Sequence, residues 1–96
     1  MNTDKKTEAF YKNLKEKLNN DTLWPSEYLY KFIIPTDEVK VAQIEVVFKD
    51  TDANIQTKSS SKGNYTSVSV LVKMKNPDAV IEKYLEVSTI EGIISL

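Results

Sequence analysis

The 96-residue chain contains no cysteine, no histidine and no arginine. Without cysteine there are no disulfides, no thiol nucleophile and no thiolate metal site. Without histidine the commonest general base and zinc ligand is missing. Without arginine the chain has no bidentate fork for phosphates and carboxylates. Any catalysis would rest on lysine, carboxylates, tyrosine or hydroxyls, so the composition favours a non-enzymatic protein with no catalytic residue, cofactor or metal site. Long apolar runs are missing too. Phe32-Ile33-Ile34 and Val46-Val47-Phe48 are far too short to span a bilayer. Met1 to Lys6 is polar and no apolar stretch follows, so no secretion signal is expected and a soluble cytoplasmic protein is the expectation.

An excess of charge of either sign is also lacking. Thirteen lysines stand against 14 acidic residues, for a formal net charge of -1. A chain so balanced has no global attraction to phosphate backbones, which makes nucleic acid a poor partner unless a local patch exists. What is present is a 41% hydrophobic content, enough for a packed core, in a length that suits one core.

The apolar residues follow two periods. Thr3 to Asn20 reads as an amphipathic helix, capped by Thr3 or Asp4, with Phe10, Leu14 and Leu18 as a narrow stripe. Asn19-Asn20-Asp21 ends it, and Leu23-Trp24-Pro25-Ser26 connects it onward. Tyr28 to Ile34 is the first strand, with Tyr28, Tyr30, Phe32 and Ile34 on one face and Leu29, Lys31 and Ile33 on the other. Thr36 or Asp37 caps a helix to about Lys49, whose expected buried stripe is Val39, Ala42 and Val46 with either Ile44 or Val47. Ala53 to Ser59 is a short polar strand suited to a sheet edge. Tyr65 to Lys75 alternates Val68, Val70, Val72 and Met74 with Ser67, Ser69, Leu71 and Lys73. Asn76-Pro77-Asp78 starts a helix that buries Val80 or Ile81 with Tyr84, Leu85 and Val87, and Ile90 to Leu96 forms a last strand.

After the leading helix the order is strand, helix, strand, strand, helix, strand. Two right-handed crossovers joined by a hairpin give an α+β, ferredoxin-like split βαβ sandwich (βαββαβ) with an antiparallel sheet in the order 4-1-3-2. The expected organisation is residues 1–27 as an N-terminal helix and connector and residues 28–96 as the sandwich. The sheet's open face carries Leu29, Ile33 and Leu71, with Ile93 as a further candidate. The extra helix has three expected placements: on that open face, swapped onto a partner's sheet, or loosely attached.

The most distinctive segment is the hairpin Lys58-Ser59-Ser60-Ser61-Lys62-Gly63-Asn64-Tyr65. Hydroxyls, two ammonium groups and a glycine-freed backbone suit an anion or a partner surface. The same residues also make an ordinary solvated turn on a lysine-guarded edge. Lys58, Ser60, Ser61, Lys62, Gly63, Asn64 and Tyr65 are therefore the candidate ligand- or partner-binding residues. Asp50-Thr51-Asp52-Ala53-Asn54 imitates the opening of a calcium loop, but has neither the loop glycine nor a closing glutamate, since Ser61 stands there. RNA recognition on this order of elements needs aromatics on the open face, where only Tyr65 is offered, so it is the weaker alternative. Acylphosphatases share the fold but use a first-loop arginine that is missing.

Ser60-Ser61-Lys62-Gly63-Asn64-Tyr65 followed by Ser67-Val68-Ser69, with Tyr30-Lys31 in the first strand and the helix and strand after Asn76, resembles the YbeD-like family of small bacterial proteins. The resemblance covers residues 28–96; the leading helix is an extension to it. It implies a βαββαβ sandwich similar to the ACT-type regulatory domain, a tendency to pair into dimers, and a regulatory role near lipoate metabolism. The resulting expectation is a non-enzymatic regulatory or protein-interaction module with a protein partner or a homodimer. The alternative is an ACT-type sensor of a small anionic metabolite.

Overall fold

A computed structural model describes residues 5–96, so the helix start at Thr3 or Asp4 lies outside the described residues. The elements are α1 (Lys5–Asp21), β1 (Ser26–Pro35), α2 (Glu38–Val47), β2 (Asn54–Ser59), β3 (Tyr65–Met74), α3 (Pro77–Val87) and β4 (Ile94–Ser95). All strand pairs are antiparallel, in the order β2-β3-β1-β4, which is the expected 4-1-3-2 sheet. β1 and β3 hold the centre because both alternate strictly. Tyr30, Phe32 and Ile34 of β1 and Val68, Val70, Val72 and Met74 of β3 are buried on the helix-facing side.

Capping residues set the helix starts. Asp37 accepts a hydrogen bond from the Val39 backbone N–H at 2.9 Å, and Asn76 accepts one from Ala79 at 2.8 Å, with Pro77 in the first turn of α3. Pro77, Val80, Tyr84 and Val87 then recur at helical spacing and form the buried stripe of α3. Ile81 and Leu85 are only half-buried beside it.

The buried face of α2 differs from the expected one. Val39 and Val46 are 63% and 61% exposed and Ala42 is exposed with them, whereas Ile44 is buried and Val41 and Val47 pack against the core. Phe48, just beyond the helix, is buried as well. The helix carries apolar residues on both faces, so its period alone cannot choose; the bulkier Ile44 and Phe48 win the core.

The last strand is also shorter than expected. Ile90 does not belong to it: the Ile90 and Ile93 N–H groups donate to Val87 and Ile90 carbonyls in a turn, and Ile90 is buried there as a plug. Gly92 makes the turn possible, with a φ of +81° and Pro35 Cγ only 3.1 Å from where a Cβ would stand. Ile93 consequently packs against the core, and it is Ile94, paired with Ile33, that joins the open face.

α1 lies on the helix side of the sheet against α3, not on the open face. Tyr11 stacks near Tyr84 with ring centroids 6.3 Å apart, and Lys15 pairs with Asp78 at 2.7 Å. Tyr11, Leu14 and Leu18 form the packed stripe, while Phe10 is 62% exposed and merely touches the Tyr11 ring edge. The Trp24 indole N–H donates to the Leu18 carbonyl at 3.1 Å and ties the connector to the helix. Each half-buried anchor contributes about 1 kcal/mol.

Tyrosines hold these layers together. Tyr28 and Tyr84 share a hydroxyl hydrogen bond of 2.7 Å, and the buried Tyr30 hydroxyl donates to the Val80 carbonyl at 2.9 Å. The Tyr30 ring contacts Tyr28, Phe32, Phe48 and Tyr84. Burial pushes the phenols of Tyr30 and Tyr84 well above their ordinary value, and neighbouring tyrosines push the same way.

Candidate functional site

The hairpin between β2 and β3 closes through two backbone–backbone hydrogen bonds and one from a backbone N–H to a side-chain hydroxyl. Ser60 N–H donates to the Tyr65 carbonyl at 2.8 Å, Gly63 N–H to the Ser60 carbonyl at 2.9 Å, and Tyr65 N–H to Ser60 Oγ at 3.2 Å. Gly63 takes a φ of +73° with open space around it, so the positive φ alone accounts for glycine at that position. The turn is braced by Thr36, just beyond β1: its N–H donates to the Asn64 carbonyl at 3.0 Å, and the Thr36 and Thr66 hydroxyls meet at 3.0 Å.

The sheet register then builds a groove. Ile33, Ser67 and Lys58 are consecutive partners across three strands, and Tyr65 stands in the next row opposite Pro35. Ile33, Lys58, Ser59, Ser60, Ser61, Tyr65 and Ser67 line an open depression of about 470 Å³ on the sheet face away from the helices. Ser67 Oγ donates to the Lys58 carbonyl at 3.3 Å, which sets that edge of the groove. Of the candidate residues, Lys58, Ser60, Ser61 and Tyr65 therefore come together, while Lys62, Gly63 and Asn64 form the exposed turn outside the lining. Ile33 and Ser67 complete the site from neighbouring strands. Their signal in the sequence was the alternation that placed both on the open face. Chemically, the groove's described lining offers an aliphatic and a phenolic surface, several hydroxyls and the ammonium group of Lys58, with no carboxylate among the described residues that line it.

A second depression of about 390 Å³ lies at the opposite end of the sheet, lined by Pro25, Asp50, Thr51, Asp52, Lys73, Met74 and Lys75. Here Asp50 and Asp52 stand among lysines, and Asp37 serves as the α2 cap. Among the described residues no cluster of three or more acidic side chains is arranged to hold a metal ion. No helix among them is long and apolar enough to cross a membrane.

Four antiparallel strands in the order 4-1-3-2, with α2 and α3 on one face and, among the described residues, no helix on the other, define a ferredoxin-like domain. A family described as proteins of unknown function (DUF493) matches residues 20–96, and the chain belongs to that family. A UPF0250 protein of Serratia proteamaculans is 37% identical over 81 residues, covering 81% of this chain and 93% of that protein. A UPF0250 protein of Buchnera aphidicola is 32% identical over 86 residues, covering 83% and 95%. These bacterial relatives agree with the YbeD-like resemblance seen in the hairpin.

Among solved structures, protein HP0495 of H. pylori superimposes with a TM-score of 0.63 at 16% identity, covering 78% of this chain and 85% of that one. The ACT domain of a GTP pyrophosphokinase from Chlorobium tepidum superimposes with a TM-score of 0.52 at 17% identity, covering 74% and 100%. At such identities the likeness establishes the fold alone.

Proposed function

We propose that the protein is a cytoplasmic, non-enzymatic regulatory module that binds a partner protein through the hairpin groove. The carrying observation is the assembly of Lys58, Ser60, Ser61 and Tyr65 with Ile33 and Ser67 into one exposed depression on the sheet face away from α2 and α3. An exposed aromatic beside aliphatic surface, rimmed by hydroxyls, is the composition of a protein contact. The test is quantitative capture from native cells with wild-type protein, Lys58→Glu and Tyr65→Ala, each first shown to melt like the wild type. A groove contact predicts at least a tenfold loss of captured partner by Tyr65→Ala. Full retention of every partner by both variants contradicts it.

A second reading is an ACT-type sensor of a small anionic metabolite. It is supported by the fold likeness to the GTP pyrophosphokinase ACT domain and by the ammonium of Lys58 at a groove with no carboxylate among the described residues that line it. Thermal-shift titration with amino acids, nucleotides and lipoate separates the two readings, because a ligand of the native state raises the melting temperature. A shift that Lys58→Glu abolishes favours the sensor; no shift at millimolar ligand leaves the protein contact.

A further inference from the structure

Charge is spread unevenly along the chain. Residues 53–77, which hold β2, the hairpin turn and β3, contain four lysines and no acidic residue, so all 14 acidic residues lie elsewhere. The four, Lys58, Lys62, Lys73 and Lys75, are exposed, and among the described residues none of them makes an ion pair. They fall into two groups at opposite ends of the sheet. Lys73 and Lys75 share their depression with Asp50 and Asp52. Lys58 lines the hairpin groove and Lys62 stands in the adjoining turn, with no carboxylate among the described residues of that lining. Asp37, which follows the bracing Thr36, turns to the helix layer, where its carboxylate caps α2. The groove end of the open face is therefore basic, on a chain whose formal net charge is -1. Its floor is apolar: Ile33 is half-buried, and Tyr65, in the next row of the adjacent strand, is 52% exposed.

We propose that the partner segment bound by this groove is acidic, with an aliphatic side chain seated against Ile33 and Tyr65 and carboxylates on either side of it meeting Lys58 and Lys62. This acidic preference rests on the groove being the partner contact and adds the chemistry of the partner. The apolar floor supplies the anchor, while opposite charges steer the encounter and fix its register. A nucleic-acid strand suits the groove less well. A phosphate backbone gains nothing from Ile33, Tyr65 is the one aromatic among the described lining residues, and the acidic remainder of the chain repels a polyanion. A second copy of this chain would bring its acidic residues from outside residues 53–77, so the contact would run head to tail and grow with concentration.

The experiment is an amide NMR titration of the full chain with the peptide Ac-Asp-Glu-Leu-Asp-Glu-NH2. The comparison ligands are Ac-Asn-Gln-Leu-Asn-Gln-NH2, Ac-Asp-Glu-Gly-Asp-Glu-NH2 and a short oligothymidylate. At millimolar concentration the acidic leucine peptide shifts the amides of Ile33, Ser61, Tyr65 and Ser67. It binds at least about fivefold tighter than the uncharged peptide and than the glycine peptide. Raising the salt from about 20 mM to about 200 mM weakens it severalfold. Lys58→Gln/Lys62→Gln, first shown to melt like the wild type, weakens it at least about fivefold. Equal binding of the uncharged peptide, no shifts at millimolar peptide, or shifts centred on Lys73 and Lys75 overturn the proposal. So does tighter binding of the oligothymidylate, or a light-scattering mass that grows with protein concentration and falls back in the double variant.

Cellular capture separates this failure from a failure of the groove itself. A partner lost by Tyr65→Ala but kept in full by Lys58→Gln/Lys62→Gln removes the acidic preference and leaves the groove contact. A partner kept in full by both variants removes the two together.

Discussion

Tyr30 and Tyr84 should make the protein lose stability above pH 10 in a calculable way. Both side chains are buried, Tyr30 completely, and desolvation is the first cause that holds their phenols protonated in the native state, followed by neighbouring tyrosines. A folded-state pKa raised above the unfolded one means that the tyrosine contribution is fully present below pH 10. It is lost as the pH climbs, because the unfolded chain ionises first. For a group that ionises near pH 10 when unfolded and stays neutral when folded, moving from about pH 10 to about pH 11 removes about 1 kcal/mol. The two tyrosines together remove about 2 kcal/mol over that interval. Urea unfolding of the wild type and of Tyr30→Phe/Tyr84→Phe at both pH values isolates this contribution, since lysine titration is common to the two proteins. The double variant starts lower, by about 1 kcal/mol for each hydrogen bond lost to Val80 and Tyr28. Its stability should nevertheless fall less steeply with pH. Parallel pH profiles for the two proteins would refute the reasoning, because they would mean that these phenols ionise as readily inside the fold as outside it.

Three further outcomes follow from local geometry. Asn76→Ala removes the bond to the Ala79 N–H and should cost about 1 kcal/mol in chemical denaturation. Gly92→Ala should destabilise more than Gly63→Ala in thermal melts: both glycines have positive φ, but only at Gly92 does a Cβ press on the Pro35 ring. Leu14→Asp should release α1 from α3, seen as loss of the Tyr11–Tyr84 ring contact by NMR, while the sheet amides keep their protection.

Much of this architecture was legible because several local signals agreed. Alternation in Tyr28–Ile34 and Tyr65–Met74 set both the faces and the central positions of the two strands, and Asn76-Pro77 marked a helix start that the structure reproduces. The errors fall where one period fits two answers. In α2 the valines at 39 and 46 lie on a face as apolar as the one that is buried, so only tertiary packing distinguishes them. In α1, Phe10 and Tyr11 are adjacent aromatics, and the contact with Tyr84 favours the second. Ile90 to Leu96 reads as a strand by composition, yet Gly92 folds its first half into a turn. The hairpin motif was visible because turns are local. Its groove was only half visible, because Ile33 and Ser67 reach it through strand register, which no short window of sequence carries.

The groove as partner contact is tested most directly by site-specific photocrosslinking in native cells, with benzoylphenylalanine placed at position 65 or at position 82. Position 65 lines the hairpin groove, and position 82 lies at the far end of the molecule beside Asp50 and Lys75. A partner bound at the groove yields a discrete adduct from position 65 that Lys58→Glu suppresses, and none from position 82. Adducts of equal yield from both positions, or from position 82 alone, would contradict the assignment.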